Sequence, residues 1–223
     1  TQAFGDTEFR LLKLLCTKLF NKEPYTDEMI KLAVGAYGTV YRCQLKPSCQ
    51  NLSVAIKLME VPKSIHNRNV LHDIFTEILI LDRYKLDSRV SHTFEYGTDD
   101  DYYWIVMKNY KCSLKQWRLA QKASFAENLS LYLNIYMNIL NTFQFLSENN
   151  INHFDVKCDN FLIQPLIEEE QWTEDDETNF WEPTSDVPNF SVCLADFGES
   201  KIFDKEIDGY TTRNRGTEFT KSP

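Results

Sequence analysis

Residues 151–163 read Ile-Asn-His-Phe-Asp-Val-Lys-Cys-Asp-Asn-Phe-Leu-Ile, and the interpretation of the chain starts from this stretch. Asp155, Lys157 and Asn160 stand there between two apolar segments. Such side chains can supply a base for a hydroxyl group, a cation for a phosphate and an amide ligand for a metal ion. The stretch therefore predicts a loop that binds a phosphate group and a metal ion.

A second candidate metal ligand follows an apolar run further along the chain. Residues 193–198 read Cys-Leu-Ala-Asp-Phe-Gly, which predicts a tight turn after an apolar strand. A carboxylate on such a turn, here Asp196, suits a hard cation.

Two glycines stand in the turn of a predicted hairpin near the start of the chain. Residues 32–41 read Leu-Ala-Val-Gly-Ala-Tyr-Gly-Thr-Val-Tyr. Gly35 and Gly38 let the backbone approach a phosphate closely, with N–H groups turned inward. The same spacing is common in ordinary hairpins, so it carries little weight by itself.

A lysine follows this hairpin in an otherwise apolar strand, Val-Ala-Ile-Lys at 54–57. The side chain of Lys57 either faces solvent or points inward, where an unpaired ammonium group is too costly. Glu77, on the apolar side of a helix predicted over 69–84, is the candidate partner.

The order of the predicted elements indicates a small sheet lobe followed by a helical lobe. Strand-like runs occupy 29–34, 38–45, 53–60, 89–97 and 102–109. Ser124 and Glu127 form a capping box that predicts a helix to about residue 149. Its buried side is predicted to carry Leu129, Leu133, Tyr136, Leu140 and Phe143.

Taken together and in this order, the motifs resemble the eukaryotic protein kinase family from about residue 29 to the last residue. The resemblance implies an α+β, bilobal fold. A five-stranded antiparallel N-lobe with one helix, ending in a hinge, covers 29–110, and a partial, mainly helical C-lobe covers 111–223. Residues 1–28 form an N-terminal extension, in which residues 7–20 have the apolar spacing of a short helix.

The resemblance also implies an enzyme that uses ATP and Mg²⁺ to phosphorylate a protein substrate. Gly35 and Gly38 would cover the phosphates of ATP. Lys57 would bind the α- and β-phosphates and pair with Glu77. The adenine ring would meet the side chains or backbone groups of Val40, Ala55, Leu162, Met107, Lys108 and Tyr110.

The resemblance also implies roles in phosphate transfer and metal binding for the motifs of the second lobe. Asp155 would accept the proton of the substrate hydroxyl, and Lys157 would stabilise the γ-phosphate. Asn160 and Asp196 would hold Mg²⁺. A lysine two positions after the catalytic aspartate is similar to the Ser/Thr branch of the family. An apolar stack that links the lobes would comprise His153, Phe197, Leu81 and Phe94.

Phe154 departs from the family because an arginine usually precedes the catalytic aspartate. Without this arginine, a phosphate on the activation segment, predicted over 196–223, lacks its usual partner. We therefore expect activity that does not strictly depend on phosphorylation of this segment. Tyr210, Thr211 and Thr212 remain candidate sites of modification.

An acidic insert at 166–190 separates the two metal-binding motifs. It holds nine acidic residues and no basic ones, which leaves 24 acidic residues to balance 24 Lys and Arg in the rest of the chain. Such composition favours a solvated, disordered loop. The alternative is docking through Trp172, Phe180 and Trp181, on a partner or on the kinase's own surface.

Composition excludes several other classes of protein. No apolar run is long enough to span a bilayer, and no basic patch with interleaved aromatic residues indicates nucleic-acid binding. Six scattered cysteines and the absence of a signal-peptide pattern favour the cytoplasm.

The chain ends in a segment that resembles the activation segment, where the family continues with further helices. The predicted helix after residue 124 would then expose much of its apolar face, so we expect further C-terminal sequence or a partner protein to cover it. An alternative function is therefore a nucleotide-binding scaffold in a larger assembly with little turnover. A kinase that phosphorylates small molecules is a less favoured alternative, because the last residues of the chain resemble those of kinases with protein substrates.

Overall fold

The computed structural model describes residues 29–35, 38–44, 53–61, 68–98, 102–167 and 171–203. The chain divides into two units. Unit 1 comprises the residues up to Leu86 together with His92–Asn109, and unit 2 comprises Asp87–Ser91 and the chain from Tyr110 onward. The helix predicted over 7–20 and the phosphorylation sites predicted at 210–212 lie outside the described residues.

A five-stranded antiparallel sheet forms most of the described part of unit 1, as predicted. In chain order its strands are β1 (Met29–Val34), β2 (Thr39–Gln44), β3 (Ser53–Glu60), β4 (Thr93–Thr98) and β5 (Tyr102–Lys108). The spatial order is β1-β2-β3-β5-β4, so β3 lies at the centre. Its residues from Val54 to Met59 are all buried.

Among the described residues of unit 1, one helix accompanies this sheet. Helix α1 (Arg68–Arg83) agrees with the prediction to within one residue at each end. Ile74, Ile80 and Leu81 are buried along it, at the spacing of one helical face. Glu77 is on the same buried side and is 1% exposed, which requires a partner for its charge.

The described part of unit 2 contains three α-helices and two small antiparallel sheets. In chain order its elements are β6 (Cys112–Ser113), α2 (Leu114–Ala120), α3 (Leu129–Glu148), β7 (Ile151–Asn152), β8 (Phe161–Pro165), α4 (Glu174–Trp181), β9 (Phe190–Leu194) and β10 (Lys201–Ile202). One sheet has the order β6-β8-β9, and the other pairs β7 with β10.

The structure corrects two predictions about α3. The capping box forms, since Ser124 and Glu127 exchange hydrogen bonds, but it closes a turn, and the helix begins at Leu129. The predicted buried face was also wrong. Leu133 and Tyr136 are each 54% exposed, and Leu129 and Leu140 are exposed as well, whereas Phe143 is half-buried and packs against Phe161.

The buried face of α3 instead carries Leu131, Ile135, Phe145 and Leu146. Apolar residues surround most of this helix, so their spacing does not distinguish the face that contacts the rest of the unit. In the described part of the chain, the other apolar face is open to solvent.

The acidic insert is also different from the disordered loop that composition favoured. Its described residues include α4, which has a capping box between Thr173 and Asp176. Phe180 of this helix is fully buried. Through Phe180, the insert therefore docks on the rest of unit 2, which was the alternative prediction.

Within the described ranges, none of the helices is both long and apolar enough to cross a bilayer.

Candidate active site

A buried ion pair joins the sheet and the helix of unit 1. The ammonium group of Lys57 lies 2.7 Å and 2.8 Å from the two carboxylate oxygens of Glu77. The two side chains are 8% and 1% exposed. Because both charges are almost removed from water, their mutual contact is what makes their burial tolerable. The structure thus brings together the lysine and glutamate that the sequence proposed as partners.

Three residues predicted to line the adenine ring lie on the same face of the sheet as Lys57. Val40 is directly opposite Lys57 in the pairing of β2 with β3. Ala55 is two residues before Lys57 and opposite Met107 in the pairing of β3 with β5. Side chains at such positions point to one side of a sheet, so β2, β3 and β5 present one apolar surface next to the lysine.

The two predicted phosphate-binding glycines close the hairpin between β1 and β2. Gly35 donates its N–H to the carbonyl oxygen of Gly38 over 2.8 Å. A Cβ atom at Gly38 would lie 2.0 Å from the carbonyl oxygen of Leu58, so a larger residue cannot occupy this position without moving β3. Close backbone approach explains this glycine independently of any ligand.

At the end of β5, the backbone N–H of Lys108 donates to the carbonyl oxygen of His92 over 2.9 Å. This bond fixes the strand where the hinge was predicted. The binding of adenine by backbone groups of Lys108 and Tyr110 remains a prediction.

In unit 2, the loop between β7 and β8 brings the predicted catalytic side chains together. Lys157 Nζ lies 2.7 Å from Asp155 Oδ2. Asn160 Nδ2 donates to the carbonyl oxygen of Asp155 over 2.8 Å and to Oδ2 over 3.2 Å. The backbone N–H of Asn160 also donates to the carbonyl oxygen of Lys157. The carboxylate of Asp155 is therefore held in one orientation by a cation and an amide.

His153 connects this loop to the turn that carries Asp196. Its Nδ1 accepts a hydrogen bond from the backbone N–H of Asp155, and its Nε2 lies 3.1 Å from the carbonyl oxygen of Ala195. These partners require a neutral ring protonated at Nε2. Burial lowers the pKa of His153 below its ordinary value, in agreement with the neutral form. The ring also packs edge-on against Phe197.

The backbone is left-handed at Phe154, next to Asp155, and at Asp196. Asp196 has φ 61° and ψ 67°, and Phe154 has φ 62°. Left-handed conformations are costly for residues other than glycine, and they cluster at functional sites. At Asp196 this conformation turns the chain between β9 and the buried Phe197, so that the carboxylate stays exposed.

Comparison with known proteins agrees with this geometry. The model of the protein kinase domain matches residues 26–223. This chain belongs to the protein kinase family. It is 54% identical, over its whole length, to a probable serine/threonine-protein kinase of Dictyostelium discoideum, of which the match covers 9%.

Two further kinases of the same organism are more distant. The serine/threonine-protein kinase pakG is 29% identical over 86% of this chain and 13% of its own length. The probable serine/threonine-protein kinase mkcE is 29% identical over 60% of this chain and 18% of its own length. The kinase chain described here thus spans less than a fifth of the length of each relative.

The oxygen ligands of this kinase fit a magnesium ion. Asn160 offers an amide oxygen, and its position is set by the two hydrogen bonds that its nitrogen donates to Asp155. Asp196 offers an exposed carboxylate, and the preceding residue, Ala195, donates its N–H to the carbonyl oxygen of Asn160 over 2.9 Å. Carboxylate and amide oxygens are hard ligands of the kind that Mg²⁺ prefers.

Leu162, the last of the predicted adenine-lining residues, is half-buried in β8, directly after this loop. Phe94, predicted for the apolar stack, is 42% exposed and packs against His92, whereas Leu81 is buried.

Sequence reasoning did not identify the residues that support the catalytic loop. Ser200 Oγ donates to the carbonyl oxygen of His153, and the backbone of Ala195 contacts both His153 and Asn160. Lys115 of α2 contacts the loop as well. No local pattern marks these residues, because their contacts span up to 47 positions of sequence.

Proposed function

We propose that this chain is the nucleotide-binding and catalytic part of a Ser/Thr protein kinase, which transfers the γ-phosphate of ATP to Ser or Thr hydroxyl groups of protein substrates. The observation that supports it most is the cluster of Asp155, Lys157 and Asn160 around one carboxylate oxygen. The buried pair of Lys57 and Glu77 adds the phosphate-binding cation that the same chemistry needs.

Phosphoryl transfer asks a protein mainly for positioning and for neutralisation of charge. In our proposal, Glu77 holds the ammonium group of Lys57 in place, and Lys57 binds the α- and β-phosphates. The apolar face formed by Val40, Ala55 and Met107 contacts the adenine ring.

Asp155 orients the hydroxyl group of the substrate and accepts its proton. Lys157 neutralises the γ-phosphate, and its contact with Asp155 places the cation next to the base. Asn160 and Asp196 would hold Mg²⁺, which would supply positive charge to offset that of the phosphates. The named Ser/Thr kinases among the relatives support Ser and Thr rather than Tyr as acceptors.

The test is transfer of phosphate from Mg-ATP to a generic substrate protein by the full-length protein, followed by identification of the modified amino acid. We expect phosphoserine and phosphothreonine, and loss of transfer in Lys57→Met. Lys85→Met is the matched control, because Lys85 is half exposed and forms a surface ion pair with Asp82. Transfer that survives in Lys57→Met contradicts the proposal.

The same experiment tests the scaffold alternative. If Mg-ATP raises the melting temperature but no phosphate is transferred, the protein is a nucleotide-binding scaffold and not an enzyme. The exposed apolar face of α3 agrees with either function, because it calls for a covering segment in both.

A further inference from the structure

The acidic insert docks on unit 2 through a helix that also contacts the catalytic loop. Trp117 of α2 is fully buried, and its indole N–H donates to the carbonyl oxygen of Phe180 over 2.9 Å. Phe180 itself is fully buried and, like Trp117, packs edge-on against Phe190. Burial of two large aromatic side chains makes this contact a substantial part of the local core.

Further contacts join the insert to the C-terminal end of α2. Gln121 donates from Nε2 to the carbonyl oxygens of Trp117 and Trp181, over 3.0 Å in each case. Lys122 forms an ion pair with Glu182. The insert therefore holds the last turn of α2 as well as its central side chain.

The opposite end of α2 holds the catalytic loop. The backbone N–H of Lys115 donates to the carbonyl oxygen of Cys158 over 3.2 Å, and the Lys115 ammonium group lies 3.0 Å from Asp159. The first N–H groups of a helix have no partner within the helix, so this backbone bond satisfies one of them. The ion pair is about half exposed and contributes little by comparison.

Cys158 and Asp159 are the two residues between Lys157 and Asn160. Helix α2 has seven residues, and a helix this short depends on its contacts rather than on its own stability. Its two buried side chains are Leu114 and Trp117. Removing the insert residues that cover Trp117 should therefore loosen α2, the helix that binds the loop.

We propose that the docked insert is a positioning element for phosphate transfer: Phe180 and Trp117 hold α2, and α2 holds the loop that carries Lys157 and Asn160. The proposal rests on the proposed function for its catalytic consequence. Its structural consequence, a looser loop without the insert, is independent of activity.

The first experiment replaces residues 167–188 with Asn-Gly in the full-length protein. The ladder between β8 and β9 extends to a bond from the Leu166 N–H to the Asn189 carbonyl oxygen, so a two-residue turn can close it. We expect kcat to fall about tenfold with KM for ATP changed less than about twofold, because the loop is misplaced while the nucleotide contacts of unit 1 remain.

The matched control is Glu174→Gln/Glu177→Gln, which changes charge on the exposed side of α4 and leaves the aromatic contacts in place. It should keep the kcat of the unmodified protein. An unchanged kcat in the replacement variant overturns the proposal, and so does an equal loss of kcat in the control.

A second experiment separates positioning from activity and does not require removal of the insert. Trp117→Phe keeps an aromatic ring but loses the N–H that binds the Phe180 carbonyl oxygen. We expect faster hydrogen exchange at the amides of Lys115 and Asn160, with the amides of Phe145 and Leu146 near the end of α3 unchanged. Unchanged hydrogen exchange at both amides overturns the proposal. If neither the unmodified protein nor any variant transfers phosphate, the proposed function fails. The exchange rates of Lys115 and Asn160 still show in that case whether the insert holds the loop in place.

Discussion

The two charged pairs at the predicted active-site positions have the same nitrogen–oxygen separation but different surroundings. Lys57 with Glu77 and Lys157 with Asp155 both have nitrogen–oxygen distances of 2.7 Å. The side chains of Lys57 and Glu77 are 8% and 1% exposed, and those of Lys157 and Asp155 are 25% and 9% exposed, so the pairs differ mainly in the exposure of the lysine. The first pair joins a strand to a helix, and the second lies in a loop that backbone hydrogen bonds already shape.

This difference indicates that the two units fix their proposed catalytic groups in different ways. In unit 1, loss of either partner leaves a buried charge, so stability and, in our proposal, phosphate binding depend on the same contact. In unit 2, His153, Asn160 and Ala195 hold the loop through backbone groups, so a charged side chain can change with little effect on the fold.

The largest effect is expected for Lys57→Met. The substitution leaves Glu77 buried without its ammonium partner, which should lower the free energy of unfolding by about 3–5 kcal/mol and abolish phosphate transfer. Chemical denaturation and a transfer assay measure the two effects.

The double variant Lys57→Met/Glu77→Leu removes both charges and should recover most of this stability while remaining inactive. If the double variant is as unstable as the single one, the buried pair is not the source of the loss, and the comparison between the units fails.

Asp155→Asn should separate activity from stability. We expect kcat to fall by about 10²- to 10⁴-fold, because the amide cannot accept the proton of the hydroxyl group. The free energy of unfolding should change by about 1 kcal/mol or less, since the amide keeps an oxygen for Asn160 and leaves Lys157 partly in water. A loss of stability as large as that of Lys57→Met would contradict the distinction.

The pH dependence of stability tests the neutral state of His153. Burial lowers the pKa of this histidine below 6.5, its value in an unfolded chain, while the Ala195 carbonyl oxygen and the charges of Asp196 and Asp155 oppose the shift. Below pH 6.5 the unfolded chain binds the proton first, so stability should fall by up to about 1.4 kcal/mol per pH unit.

Above this pH both states are neutral and the histidine adds no pH dependence. Denaturation between about pH 5 and 8 should show a smaller slope for His153→Gln than for the control His72→Gln, in which an exposed histidine of α1 is replaced. Equal slopes for the two variants would show that His153 is not the source of the pH dependence of stability.

The smallest effect is expected for Thr211→Ala/Thr212→Ala in the predicted activation segment. Because Phe154 replaces the usual arginine, the double variant should keep transfer to within about twofold of the unmodified protein. A complete loss of transfer would show that phosphorylation of this segment is required despite the absence of that arginine.

Several features followed from local sequence alone. The strand Ser53–Glu60 and the helix Arg68–Arg83 are long, periodic segments, and their predicted boundaries agree with the structure to within one residue. The partnership of Lys57 and Glu77 also followed from sequence, because a lysine and a glutamate in apolar elements each require an opposite charge.

Other features depended on contacts that no local pattern contains. The apolar residues of α3 spread around the helix, and the rest of unit 2 determines that Ile135 is buried and Leu133 is exposed. Composition favoured disorder for the insert, but a fully buried Phe180 and its contacts with Phe190 and Trp117 outweigh the acidic residues that remain on the surface.

The sequence by itself thus determined the kinase motifs, the order of the elements and the charged groups, because each depends on the chemistry of neighbouring residues. Tertiary structure alone decided which face of α3 is buried, how His153 is held and where the insert docks. Burial is a property of residues that are distant in sequence, and its free energy exists only once they are in contact.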